Sequence, residues 1–207
     1  MNASPKSPRR PEERPYFFDG GLRFTDVSAD SGLDLDDFAC SVAAGDVNGD
    51  GHTDLFVGCF GHNRLFLGRG DCRFEDVSER AGVVGRQDEW SAGAAFGDID
   101  GDGDLDLYVA NYADFGLYRS SQPLRRACNW KQMAVACGPQ SLEPQQDRLY
   151  VKRGDGTFDD ATDRLPASKR YSFQPVILDL SGGGRADIFV AADAPPNQLL
   201  MDDGTGR

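Results

Sequence analysis

The chain has 207 residues, 27% of them charged, and its 34 acidic against 22 basic side chains leave a net charge of −12. That excess of acid excludes nucleic acid as a partner, because phosphate binding depends on clustered Lys and Arg. No apolar run is long enough to span a membrane or to serve as the core of a signal peptide.

In chain order, residues 1–15, MNASPKSPRRPEERP, set four prolines among mixed charges, the composition of a disordered leader. Residues 16–33 contain Phe24-Thr25-Asp26-Val27 with Gly32 after it, which matches Phe74-Glu75-Asp76-Val77 with Gly82 after it. The segment is therefore predicted to be the last strand of one repeat unit. The unit over 38–83 reads as a strand at 40–45, an acidic loop at 46–54, a second strand through Leu55-Phe56-Val57, a third through Arg64-Leu65-Phe66-Leu67 and a fourth from Phe74. The unit over 88–166 repeats the series, with its loop at 98–106 running into Leu107-Tyr108-Val109, then Arg148-Leu149-Tyr150-Val151 and Phe158. It also carries an insertion, 112–146, between its second and third strands. The last unit, 170–207, is incomplete: its loop at 179–187 leads into Ile188-Phe189-Val190 and Asn197-Gln198-Leu199-Leu200-Met201.

The loops carry the chemistry. In the first, Asp46, Asn48, Asp50 and Asp54 supply side-chain oxygens at positions one, three, five and nine, and His52 offers its backbone carbonyl at position seven. In the second, Asp98, Asp100, Asp102 and Asp106 hold those positions, with the carbonyl of Asp104 at position seven. Oxygen-only ligands at alternate positions, with Gly at position six, suit a large and weakly directional cation such as Ca2+. Magnesium demands a tighter octahedron, and zinc would call for His or Cys. An EF-hand would place Glu at position twelve and continue as a helix. Here position twelve is Val57 or Val109, and the apolar, aromatic residues around it favour a strand. The third loop keeps Asp179, Ser181, Gly183 and Asp187 at the corresponding positions, so it is expected to be a weak or lost site. Two Ca2+ sites and a degenerate third follow.

Four short antiparallel strands recurring at about fifty residues are the signature of propeller blades. The expected fold is all-β, a β-propeller of four-stranded blades in an incomplete set of about three. Such a set does not close a ring, so the chain reads as part of a longer protein, or as one of several copies that assemble.

The blocks AAGDVNGDGHTDLFVG and FGDIDGDGDLDLYVANY, followed by NRLFLGRGDCRFEDV and DRLYVKRGDGTFDDAT, resemble FG-GAP/VCBS propeller repeats, most closely those of the ASPIC/UnbV and cartilage acidic protein group. They are also similar to the calcium-binding repeats of integrin α-subunits. The resemblance covers 17–207 and implies an extracellular, periplasmic or cell-surface protein, although no signal peptide is visible. Cys128 and Cys137 lie nine apart in the insertion and suggest a local disulfide. The Cys137-Gly138-Pro139 motif of related insertions strengthens that expectation. Cys40 and Cys59 flank the first loop, where a cross-strand bridge is a second possibility, and Cys72 has no evident partner.

Two functions are compatible with this reading. One is a non-catalytic binding module whose partner is an extracellular protein or a glycan, with the insertion as contact surface. That insertion mixes Tyr112, Phe115, Tyr118, Arg119, Arg125, Arg126, Trp130 and Lys131. The other is the propeller portion of a secreted polysaccharide lyase or hydrolase. No catalytic residues are predicted, because the two histidines, His52 and His62, flank one strand and no nucleophile-base grouping is legible.

Overall fold

The structure is a computed structural model that describes residues 16–18, 24–33, 35–116, 127–136, 139, 142–194 and 196–202. The leader expected over 1–15, much of the insertion and Cys137 lie outside the described residues.

Seventeen strands and two single-turn helices make up the described chain, which is organised around three antiparallel sheets. The first contains β3 (Phe38–Gly45), β4 (Asp54–Phe60), β5 (Arg64–Gly68) and β6 (Phe74–Asp76), paired in sequence order. The second contains β7 (Ser91–Gly97), β8 (Asp106–Asn111), β13 (Arg148–Lys152) and β14 (Phe158–Asp160), in the order β7-β8-β13-β14. The third pairs β15 (Ser172–Leu178), β16 (Asp187–Ala192) and β17 (Gln198–Leu200). Ahead of them, β1 (Tyr16–Phe18) and β2 (Phe24–Asp26) form a hairpin. Its register, Phe18↔Phe24 and Tyr16↔Asp26, reproduces Gly68↔Phe74 with Phe66↔Asp76 and Lys152↔Phe158 with Tyr150↔Asp160. The strands β1 and β2 thus pair like the last two strands of a unit.

Within the insertion, β9 (Ala113–Asp114) pairs with β12 (Glu143–Pro144), and β10 (Ala127–Trp130) pairs with β11 (Met133–Ala136). Lys131 and Gln132 turn the second hairpin with φ of 47° and 69°, the left-handed geometry that two-residue hairpin loops require. The helices α1 (Ser28–Ser31) and α2 (Ser78–Ala81) follow β2 and β6, each closed by a left-handed glycine, Gly32 or Gly82. In the second sheet a 3₁₀ turn, Thr162–Arg164, takes that place.

Alternation along the strands decides how the sheets pack. Phe56 sits between Ala43 and Leu65 on one face, and Tyr108 sits in the same way between Ala95 and Leu149. Phe56 is buried with Leu107, Val109 and Tyr150 of the second sheet, whereas Tyr108 is buried with Ile188 and Val190 of the third. The first and second sheets therefore each offer an aromatic to two aliphatic residues of the next. In the third sheet the equivalent row, Val176, Phe189 and Leu199, is exposed. Close approach at the first strands completes the packing: a Cβ on Gly93 of β7 would lie 1.8 Å from the carbonyl oxygen of Phe173 in β15.

Cys40, Cys59 and Cys72 are free, so the possible cross-strand bridge is not formed. Cys59 pairs with Ala39, and Cys40 occupies the irregularity between Ala39 and Ser41, where its Sγ accepts the indole N–H of Trp90 at 3.1 Å.

Candidate metal centre

All three acidic loops join the first and second strands of a sheet, because a loop dense in Asp and Gly supplies turns on its own side chains. Gly49 and Gly51 have φ of 71° and 83°, and Gly101 and Gly103 have 80° and 93°, so both pairs adopt the left-handed backbone that lets a short loop wrap inward.

The acid at position one organises each loop. Asp46 accepts the N–H groups of Asp50 and Gly51 at 3.1 and 2.8 Å, and Asp98 accepts those of Gly101 and Gly103 at 2.7 and 3.1 Å. In the third loop Asp179 takes three N–H groups, from Gly182, Gly183 and Gly184, together with the Ser181 hydroxyl. These bonds hold the Asp179 carboxyl below the usual carboxylate range, with the Gly184 N–H the largest cause. The degenerate loop thus satisfies its leading carboxylate from its own backbone and hydroxyl.

The acid at position nine behaves differently. Asp54, Asp106 and Asp187 are fully buried at the start of the second strand. Each carboxylate spans two elements. Asp54 accepts the N–H of Val47 from its loop and that of Gly68 at the end of the third strand, at 2.8 and 2.7 Å. Asp106 does the same with Ile99 and Lys152, and Asp187 with Leu180, Ser181 and Asp202. Burial raises the pKa of Asp54 and Asp106, against the pull of those N–H donors. The residue is a staple between loop and third strand as well as a candidate ligand.

Fit to a cation is clearest in the second loop. One carboxylate oxygen from each of Asp98, Asp100 and Asp106 lies within 4.8 Å of the other two, and this is the group of three metal-ligating side chains found among the described residues. The pKa of Asp100 is raised by desolvation and then by the neighbouring Asp102 charge, the strain that a bound cation would relieve. Asp102 stands outside the trio, with its Oδ1 accepting the Asp104 N–H at 2.9 Å. In the first loop, Asn48 and Asp50 bond to each other, with Asn48 Nδ2 to Asp50 Oδ2 at 3.0 Å, and the Asp50 carboxyl is lowered chiefly by the His52 N–H. The imidazole of His52 lies instead over Gly70 at the turn before β6.

A further position recurs outside the acidic loops. Asn63, Asp147 and Asn197, each just ahead of a third strand, accept the N–H of Cys59, Asn111 and Ala192 at 2.9, 2.8 and 3.0 Å. Each accepted N–H is five residues beyond the buried Asp of its unit, so this contact closes the second-to-third strand turn even across the insertion. Asp147 also accepts the Tyr108 and Ser172 hydroxyls, both at 2.8 Å, joining the second and third sheets. Burial pushes its pKa up to about 6. The recurrence of Asn or Asp there was visible in the sequence; its role was not.

Part of the insertion's expected contact surface is interior. Tyr112 is buried, its ring 5.0 Å from those of Trp90 and Phe173, and Phe115 lies 4.8 Å from Trp90. These two aromatics anchor the insertion to the sheets, because rings at this spacing bury large apolar area through edge contacts. The side chains of Tyr118, Arg119, Arg125, Arg126 and Trp130 lie outside the described residues.

A family model described as an FG-GAP-like repeat matches residues 46–109. The match begins at the first residue of the first acidic loop and ends within β8, so it takes in both Asp-rich loops. No curated protein matches the chain. Among the described residues, no helix is long and apolar enough to cross a membrane.

Proposed function

We propose that the chain is a calcium-binding repeat module of β-propeller type, non-catalytic, that presents an interaction surface to an extracellular protein or a glycan. The observation that carries the reading is the convergence of Asp98, Asp100 and Asp106 in a loop whose register recurs at 46–54, inside an FG-GAP-like repeat. Repeats of this type often bind Ca2+. In the second loop Asp98, Asp100, Asp102 and Asp106 would hold the ion with the Asp104 carbonyl, and in the first Asp46, Asn48, Asp50 and Asp54 with the carbonyl of His52. Bound calcium would neutralise clustered carboxylates and add stability by mass action, a structural role. The degenerate loop at 179–187 supports that role, since its sheet forms around a loop that keeps only the acids Asp179 and Asp187, with Ser181 and Gly183 at the positions between them. The ASPIC/UnbV and cartilage acidic protein likeness, the local disulfide between Cys128 and Cys137, and placement outside the cytoplasm belong to the same proposal. The unit boundaries at 16–33, 38–83, 88–166 and 170–207 do as well.

Calcium titration of the full chain by calorimetry tests the metal reading. Two sites are expected, reduced to one by Asp98→Ala; absence of binding at millimolar calcium would rule it out.

A further inference from the structure

Lys152 is the residue of the second unit that its repeat does not explain. Its counterparts are Gly68 in the first unit and Asp202 in the third, all three donating their backbone N–H to the buried Asp at position nine. A lysine there is costly, because the side chain is buried and carries charge. Its ammonium is compensated in two ways. It donates to the backbone carbonyl of Val47, and it lies 5.6 Å from the centre of the Phe158 ring.

Val47 is the second residue of the first acidic loop, and its N–H is bound by Asp54. A series of hydrogen bonds, joined through the covalent frames of Val47 and Lys152, therefore runs from one loop to the other. Asp54 accepts from Val47 N–H, Val47 C=O accepts from the Lys152 ammonium, and Lys152 N–H is held by Asp106. Both ends of this series are position-nine carboxylates, and every link is buried. In the third unit the corresponding side chain, Asp202, pairs with Arg185 of its own unit's loop.

We propose that Lys152 is a positioning residue that couples the two acidic loops, so that a cation in one strengthens cation binding in the other. The inference rests on the calcium reading given above. A cation in the second loop engages Asp106 and fixes the strand end that carries Lys152. The ammonium then holds the Val47 peptide, and with it the loop backbone that presents Asp46 and Asn48. The links pass through the saturated side chain of Lys152, so the coupling is positional, carried by the backbone that each bond holds, and coupling between two sites is reciprocal.

Calcium calorimetry on four forms of the full chain decides the matter: wild type, Asp98→Ala, Lys152→Met and the double variant. With Lys152 present, silencing the second loop by Asp98→Ala is expected to weaken the first loop roughly threefold to tenfold. In Lys152→Met the first loop should bind equally well whether or not the second is intact, and Lys152→Arg should restore the dependence. A first-loop affinity indifferent to Asp98→Ala, or a dependence that survives Lys152→Met, overturns the proposal. Amide exchange in EDTA supplies an arm free of metal. Lys152→Met should speed exchange at Asp50 and Gly51 while leaving Gly182 and Gly184 unchanged. Unchanged exchange at Asp50 and Gly51 also overturns it, whereas failure of any form to bind calcium falls on the metal reading and leaves the exchange result to judge the link.

Discussion

Asp106 Oδ1 accepts the backbone N–H of Lys152 at 2.8 Å while its other oxygen accepts that of Ile99, so one buried carboxylate ties the second acidic loop to the third strand of its sheet. The same side chain is a candidate cation ligand. Its two roles can be separated, because hydrogen bonds to the backbone persist without metal and ligation does not.

Replacing a position-nine acid should therefore destabilise the protein even in EDTA. Asp54→Ala leaves the N–H groups of Val47 and Gly68 without their acceptor, and each unsatisfied buried donor costs about 1–3 kcal/mol. Asp46→Ala removes an exposed acceptor that water can replace, with an expected loss below about 1 kcal/mol. Urea denaturation in EDTA measures both, and equal losses would show that the staple has no special weight.

Asp147 should make stability depend on pH. Its carboxyl titrates at about 6 in the folded chain against an ordinary 3.8, because burial disfavours the charged form. A group whose pKa rises on folding contributes stability fully below its unfolded value, and that contribution is lost as pH rises through the folded value. Asp147→Asn, which installs the residue found at the equivalent Asn63 and Asn197, removes this penalty. The variant should be more stable than the parent by on the order of 1–3 kcal/mol at pH 7.5, with the gain vanishing near pH 4. Denaturation at the two pH values checks the sign; a loss at pH 7.5 would mean that the Tyr108 and Ser172 hydroxyls need the charged acceptor.

Gly93 marks the tightest approach between the second and third sheets. Because an added Cβ would fall 1.8 Å from the Phe173 carbonyl oxygen, Gly93→Ala must push the first strands apart. Overpacking of this kind typically costs about 1–3 kcal/mol. A thermal melt should record the loss, whereas Gly154→Ala, with open space around its Cβ, should be close to neutral.

The strand series and the loops were legible because they leave different marks: apolar and aromatic triplets for strands, and Asp at alternate positions between glycines for loops. The hairpin strand at Tyr16–Phe18 was harder to see, since only its six-residue offset from Phe24 relates it to the strands before Phe74 and Phe158. Helices of four residues, such as Ser78–Ala81, are too short to show a period. The backbone-accepting role of Asp54 and Asp106 was hidden because a carboxylate suited to a metal and one that accepts backbone N–H groups look alike in sequence. Lys152 was hidden for the opposite reason: comparison of the units puts Gly68 and Asp202 at its position, so the repeat gave no signal. Tyr112 and Phe115 read as surface because the insertion looked weakly structured, yet Trp90 and Phe173 supply the rings that cover them.

The most direct test of the central claim is the melting temperature of the full chain in EDTA, in calcium and in magnesium. A ligand at about one hundred times its Kd adds roughly 2.7 kcal/mol to the folded state, so calcium should raise the midpoint by several degrees. Magnesium should raise it much less, and Asp98→Ala should remove about half of the calcium response. A midpoint that is identical in all three conditions would contradict cation binding by the acidic loops.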